Sequence, residues 1–135
     1  MSLLELVLRA KDEKRRVYII GNGGSYANAA HIANDLLSRG VRAFTMDAAS
    51  LTAFANDYGY ESAFSRWLVV VGDAGDVLVA LSGSGRSPNI LRACEVARTL
   101  GMTVWREFGS AKNLDMQDAE EEQIHVGHDL YRRLS

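Results

Sequence analysis

The chain has 135 residues, 47% apolar and 24% charged, with a net charge of −2, the balance of one compact globular domain spanning 1–135. With no long basic run, nucleic acid is not an expected partner, and no apolar stretch approaches the roughly 20 residues that cross a bilayer, so no membrane association is expected. A lone cysteine, Cys94, rules out an internal disulfide; inside an apolar helical pattern it reads as a small core residue rather than a nucleophile.

The opening SLLELVLRAKDEKRR reads as an amphipathic helix ending in a basic turn. Its first ten residues lack the charged start and apolar run of a signal peptide, so a cytoplasmic protein is expected. VYII (Val17 to Ile20) is a short apolar run of β type and predicts a buried strand. The loop GNGGS follows, then a helix from Tyr26 to Ser38 stopped by Gly40. VRAFTM predicts a second strand, and SLTAFANDYGY a helix capped by Ser50 and broken at Gly59. SAFSRWLVVV reads as helical, DVLVALS as a third strand, and SPNILRACEVARTLG as a helix with Pro88 at its start and Gly101 just past its end. MTVW is a fourth strand, and a last helix runs from about Ala119 to Leu134. Strands that alternate with helices and are apolar throughout predict an α/β fold with a parallel sheet covered on both faces. Ligands of such sheets bind at the carboxyl ends of the strands, where the strand order reverses.

Three groups of residues fall at those ends. GNGGS follows the first strand; its glycines allow a sharp turn and bring bare N–H groups close to a ligand, and the helix behind adds positive partial charge. The plain alternative is a tight strand-to-helix turn. LSGSGRS follows the third strand, with hydroxyls from Ser82, Ser84 and Ser87 and exposed backbone at Gly83 and Gly85. Serines and amides can surround a phosphate without a permanent positive charge, although a serine-rich turn is often only a cap. Two such loops on one sheet favour a phosphorylated small molecule.

The third group is titratable. His31 and Asp35 are four apart on one helix, beside a core face of Ala29, Ile32, Ala33, Leu36 and Leu37 and on a stripe with Ala27 and Asn28. On the last helix His128 shares a face with Glu120, Ile124 and Tyr131, while His125 falls on the solvated flank. Imidazoles and a carboxylate on two helices suit zinc or a similar divalent ion, and the same groups can move protons without metal. The plain reading is a satisfied core histidine and a surface pair.

The segments GNGGSYANAAHIANDLL, LTAFANDYGYESAFSR, GDVLVALSGSGRSPNILRACEVARTLGMTV and GHDLY, in this order, resemble sugar isomerase (SIS) domain proteins of the phosphoheptose isomerase type. The resemblance implies a three-layer sandwich with a flavodoxin-like parallel sheet of four to five strands flanked by helices. It implies conversion of sedoheptulose 7-phosphate to D-glycero-D-manno-heptose 7-phosphate, through an enediol, for the heptose of surface polysaccharides such as lipopolysaccharide. It also implies one zinc ion per subunit and a homo-oligomer, a tetramer or a dimer, with sites at subunit interfaces. By position, Asn22, Gly23, Gly24, Asn56, Asp57, Ser82, Gly83, Ser84 and Ser87 would contact the sugar phosphate. His31, Asp35, Glu120 and His128 would hold metal, and Asp35 and His128 would serve in catalysis.

The chain departs from the family at three places. Asp35 stands where the family has glutamate, and Glu120, followed by Glu121, stands where it has glutamine. The segment VWREFGSAKNLDMQDAEE leaves little room for a fifth strand, and the first helix is short. Against the isomerase stand two alternatives: a non-catalytic sugar-phosphate-binding regulator or scaffold, like the relative that binds the replication initiator, and an isomerase of another sugar phosphate such as a pentose 5-phosphate. The apolar residues Leu3, Leu4, Leu6, Val7 and Leu8 of a short first helix are expected to lie uncovered and to pack against further copies of the chain.

Overall fold

The computed structural model describes residues 1–108 and 115–134. Along them run α1 Leu3–Asp12, β1 Arg16–Ile20, α2 Gly24–Ser38, β2 Arg42–Phe44, α3 Ala48–Tyr58, a 3-10 turn Tyr60–Ser62, α4 Ala63–Val71, β3 Val77–Ser82, α5 Pro88–Thr99, β4 Thr103–Phe108 and α6 Met116–Arg133. The strands pair in parallel in the order β2-β1-β3-β4.

The central strands β1 and β3 are buried at nearly every position, which is why both read as unbroken apolar runs: each face lies under helices. Val17, Ile19, Val77 and Val79 pack with α1, α2 and α6 on one side. Tyr18, Ile20, Leu78 and Ala80 pack with α4 and α5 on the other. The result is the expected three-layer sandwich. Since α2 returns to β2 across one face and α5 to β4 across the opposite face, the strand order turns between β1 and β3, the place where sheets of this kind bind ligands at the carboxyl ends of their strands.

Four strands lie among the described residues; the expected place for a fifth includes residues 109–114, outside them. Helix α2 starts at Gly24, two residues before the expected Tyr26, because Gly23 at φ 55° turns the chain directly out of the loop. The cap of α3 is Asp47 and not Ser50: Asp47 is extended, and its carboxylate accepts the Ser50 N–H at 3.0 Å. Asp115 caps α6 in the same way, accepting the Asp118 N–H at 2.8 Å, so α6 begins at Met116 and not Ala119.

Two expectations about apolar surface are corrected. Leu37 is exposed, and Ala29, Ile32, Ala33 and Leu36, with Ser25 at the start, form the buried stripe of α2. Helix α1 tucks Leu3, Leu6 and Val7 into the core, leaving Leu4 half-buried and only Leu8 exposed. Uncovered apolar surface lies elsewhere. Phe44, Trp67 and Val70 line an open hollow beside β2, and α3 has no buried residue at all.

Helix α6 lies alongside α2 and runs the same way. From one end of this seam to the other, Gly24 meets Glu120, the Asn28 amide reaches Glu120 and Gln123, Ile32 meets Gly127, His31 faces His128, and Arg39 donates to the Tyr131 carbonyl at 3.0 Å. Gly127 is what lets the helices come this close: a Cβ there would run into Cγ1 of Ile32 and stand 3.0 Å from its Cδ1.

Candidate active site

The two loops leave neighbouring strands at the point where the sheet order turns. In the first, Asn22 is fastened from two sides. Its side-chain amide exchanges hydrogen bonds with that of Asn89, Asn22 Nδ2 donating at 2.9 Å and Asn89 Nδ2 donating back at 2.8 Å. The Tyr60 hydroxyl donates to the same Asn22 Oδ1 at 2.5 Å. Asn89, only 2% exposed, belongs to the first turn of α5, so the pair ties the glycine loop to the helix behind the serine loop.

In the second loop, Ser82 is buried and its Oγ accepts the Gly85 N–H at 3.0 Å, which closes the turn. Ser84 Oγ accepts the Arg86 N–H at 3.1 Å and lies 3.4 Å from Ser87 Oγ. Ser87 is the N-cap residue of α5 yet makes no side-chain capping bond. Its hydroxyl and that of Ser84 therefore face one another at a helix start that carries no acidic residue in its first turn, a setting suited to an anion. Met116 of α6 lies over Gly83, where a Cβ would meet its sulfur at 2.5 Å.

Farther along α2 the fold collects the titratable groups. His31 Nε2 is 3.1 Å from Asp35 Oδ2, and the rings of His31 and His128 meet edge to face with centroids 5.4 Å apart. Each of His31, Asp35 and His128 offers a ligand atom within 4.8 Å of the other two. Two imidazole nitrogens and a carboxylate oxygen are a donor set that zinc accepts, and three protein ligands leave a position for a reacting oxygen. Asp35 is largely buried and His31 about half exposed, so the cluster is reachable from solvent.

Glu120 lies apart from these three. It precedes His128 by eight residues, about 12 Å along the helix axis. Its carboxylate lies against Gly24, in the space that a side chain there would occupy. Asn56 and Asp57 are exposed on α3, where Asn56 Nδ2 donates to Asp57 Oδ1 at 3.2 Å. Cys94 is a core residue as expected; burial pushes its thiol pKa up and keeps it protonated.

Asn89, Tyr60, Asn28 and Gln123 were not legible as site residues. Asn89 had a signal: an amide on the otherwise apolar stripe of Ile90, Ala93, Cys94 and Ala97. Gln123 had the same one, lying among Ala119, Gly127 and Leu130.

Known proteins resemble this chain along most of its length. The family model described as SIS domain matches residues 2–105. A phosphoheptose isomerase of Burkholderia pseudomallei (strain K96243) is 48% identical over 130 residues, covering 84% of this chain and 66% of that protein. A phosphoheptose isomerase of Bordetella avium (strain 197N) is 36% identical over 141 residues, covering 97% of this chain and 72% of that protein. The chain thus spans just under two thirds of the Burkholderia protein's own length. The solved structure of phosphoheptose isomerase GmhA from Neisseria gonorrhoeae superposes with a TM-score of 0.87 at 29% identity, over 97% of this chain and 82% of that one. That of a phosphoheptose isomerase from Francisella tularensis gives 0.86 at 25% identity, over 97% and 81%.

Proposed function

Because this chain belongs to the SIS-domain family, we propose that it is a sugar-phosphate isomerase, a single SIS domain that converts sedoheptulose 7-phosphate to D-glycero-D-manno-heptose 7-phosphate. The observation that supports the reading is the meeting of His31 and Asp35, on the helix that starts in the glycine loop, with His128 of α6. A bare phosphate-binding module has no use for such a cluster; an aldose–ketose isomerase needs an acid, a base and a way to hold an oxyanion.

Ser84 and Ser87 take the phosphate, helped by the start of α5, and so fix the reacting carbons at a distance from the charge that anchors them. The glycine loop, braced by Asn89 and Tyr60, lines the sugar chain. Asp35 or His128 removes a proton from C1 of the ketose, the electron pair forms the C1–C2 double bond as the C2 carbonyl opens and its oxygen takes up a proton, and in the second half the C1 hydroxyl gives up its proton to become the carbonyl while the double-bond electrons take a proton at C2. His31 holds Asp35 in place at 3.1 Å. The donor set of His31, Asp35 and His128 fits zinc, which when bound would polarise the carbonyl and hydroxyl oxygens at C1 and C2. Asn56 and Asp57, exposed on α3, complete the proposed substrate set. Glu120 stands about two turns before His128 on α6, with its carboxylate against Gly24.

We also propose a homo-oligomer. The hollow of Phe44, Trp67 and Val70 and the unburied α3 are surfaces that a second copy would cover. A cytoplasmic location fits a protein in which no helix among the described residues is long and apolar enough to cross a membrane.

The test is turnover of sedoheptulose 7-phosphate by the purified protein, with metal content measured on the same sample. His128→Ala should abolish turnover and reduce bound zinc while the phosphate still binds. Parent-rate turnover by His128→Ala would remove the assignment. Absence of turnover in the parent, with phosphate bound, would favour the regulatory or scaffold alternative.

A further inference from the structure

We propose that a second anion site lies at the amino ends of β1 and β2, the end of the sheet away from the glycine and serine loops, and that it takes a small ligand bearing two or more phosphate charges. The site goes beyond the isomerase reading and uses none of its residues.

Charge is unevenly spread along this chain. Its 17 acids outnumber its 15 Lys and Arg, yet residues 9–16 and 39–42 hold seven of the cations and two of the acids, Asp12 and Glu13, a local excess of five. Both stretches lie where a helix hands over to a strand, α1 to β1 and α2 to β2, and the two strands are neighbours with Arg16 opposite Arg42. Here lies a hollow of about 400 Å³ lined by Ala10, Lys11, Asp12, Lys14, Gly40 and Arg42, large enough for a small molecule.

The other arginines of the region are used by the fold. Arg15 donates to the Ala74 carbonyl at 3.3 Å, Arg16 lies 3.6 Å from Asp73, and Arg39 donates to the Tyr131 carbonyl and sits over its ring. Lys11, Lys14 and Arg42 make no ion pair or side-chain hydrogen bond among the described residues. Lys11, half-buried, lies along Gly40, where a Cβ would stand 3.3 Å from its Cε and 3.9 Å from its Nζ. Three cations less the one carboxylate of Asp12 leave the lining with two net positive charges.

The plain use of lysines at such a place is to complement helix ends. The backbone already closes these ends. In α1 the Arg15 N–H donates to the Ala10 carbonyl at 2.8 Å and the Lys14 N–H to the Lys11 carbonyl at 3.2 Å; in α2 the Val41 and Gly40 N–H groups do the same to Leu36 and Leu37, both at 3.0 Å. Helix α5 ends in this turn too, through Met102 and Gly101. Each turn needs one residue at positive φ. Gly40 and Gly101 supply it at 83°, whereas α1 supplies it with Lys14 at 58°, the one non-glycine residue in that region of φ among those described. Glycine is favoured there, and a lysine is strained. Its side chain meets no acid that would offset the strain, and it lines a hollow with two further unpaired cations. Strain retained at such a position points to a side chain kept for a ligand. Two ammonium groups and a guanidinium fork match the oxygens of a phosphate chain, and two net charges favour a ligand with more than one of its own. Bound there, it would tie the end of α1 to β2 and raise Tm by linkage.

The experiment is titration of the folded protein with sodium pyrophosphate at constant ionic strength, read by amide NMR and by Tm. In the parent, amides of residues 11–15 and 40–42 should shift to saturation and Tm should rise. Lys14→Gly should raise the ligand-free Tm by about 2–4 °C, since it relieves the backbone. The same variant should bind pyrophosphate about tenfold more weakly or worse, and so should Arg42→Gln. Lys14→Arg, which keeps the charge, should bind nearly as the parent does. Shifts at those amides that do not saturate, or that sodium chloride reproduces, would reduce the hollow to general screening and overturn the site. Parent affinity in both Lys14→Gly and Arg42→Gln would overturn it as well. The response of residues 82–88 to the same probe reports on the serine loop alone, so its absence would count against the isomerase reading and leave this site standing.

Discussion

Gly127→Ala tests whether the spacing of α2 and α6 sets the zinc site proposed at His31, Asp35 and His128. The new Cβ would meet Cγ1 of Ile32 and come 3.0 Å from Cδ1, with Cβ of Ile32 at an ordinary 3.6 Å. Overpacking of this kind costs about 1–3 kcal/mol. Alanine returns about 1 kcal/mol over glycine inside a helix, so the net loss is at most about 2 kcal/mol. For a chain of this size that lowers Tm by roughly 3–4 °C per kcal/mol. The larger effect should be on zinc. His128 is the next residue, and its ring sits 5.4 Å from that of His31 across the same contact. Zinc holds its ligands at about 2.0–2.2 Å, so pushing the helices apart by a fraction of an ångström weakens binding by about tenfold or more. Competition against a chromophoric chelator reads this directly. Adding Ile32→Ala removes Cγ1 and Cδ1 and should restore most of the affinity in the double variant, although alone it leaves a cavity. Parent-like zinc affinity in Gly127→Ala, or no recovery in the double variant, would refute the reasoning.

Other expectations concern the scaffold around the loops. Asn89→Ala strands the buried side of Asn22 and should cost about 1–3 kcal/mol in denaturant unfolding, whereas Tyr60→Phe removes one bond from a half-exposed ring and should cost about 0.5–1.5 kcal/mol; equal losses would contradict the burial argument. Cys94, 1% exposed and with its pKa raised chiefly by burial, should resist alkylation in the folded protein at mildly alkaline pH and react once denaturant is added. Asp47 has its pKa lowered, chiefly by the Ser50 N–H it accepts, so its capping contribution is present above the ordinary 3.8 and is lost as pH falls through the lower folded value. The Tm difference between the parent and Asp47→Ala should therefore be constant near neutral pH and shrink only below 3.8; shrinkage already between neutrality and that value would contradict it.

The sheet was legible because its strands are buried on both faces, and an unbroken apolar run as short as VYII, closed by a glycine turn, suits little besides a covered strand. The loops were legible because glycine and serine at a strand end limit what the chain can do there. His31 and Asp35 were legible as a pair because four residues make one helical turn. Their meeting with His128 was open until α6 was seen to lie along α2. The helix starts were misread where a side chain reaches forward three residues, as Asp47 does to Ser50, since a serine and an aspartate are equally good caps on paper. The brace of Asn22, Asn89 and Tyr60 was out of reach because it joins three segments whose proximity only the fold creates. Glu120 is assigned to the metal by the resemblance alone; in the fold its carboxylate lies against Gly24 at the head of α2.

The pairing of β1 with β3 has a consequence for how the protein comes into being. Arg16 and Asp76, joined where those strands begin, are 60 residues apart, and Asn28 and Gln123 are 95 apart. Contacts this remote in sequence close late and slowly, because a long stretch of backbone must first be gathered in. On the ribosome, the seam of α2 with α6 cannot form until residues 116–133 have emerged, long after α2 itself.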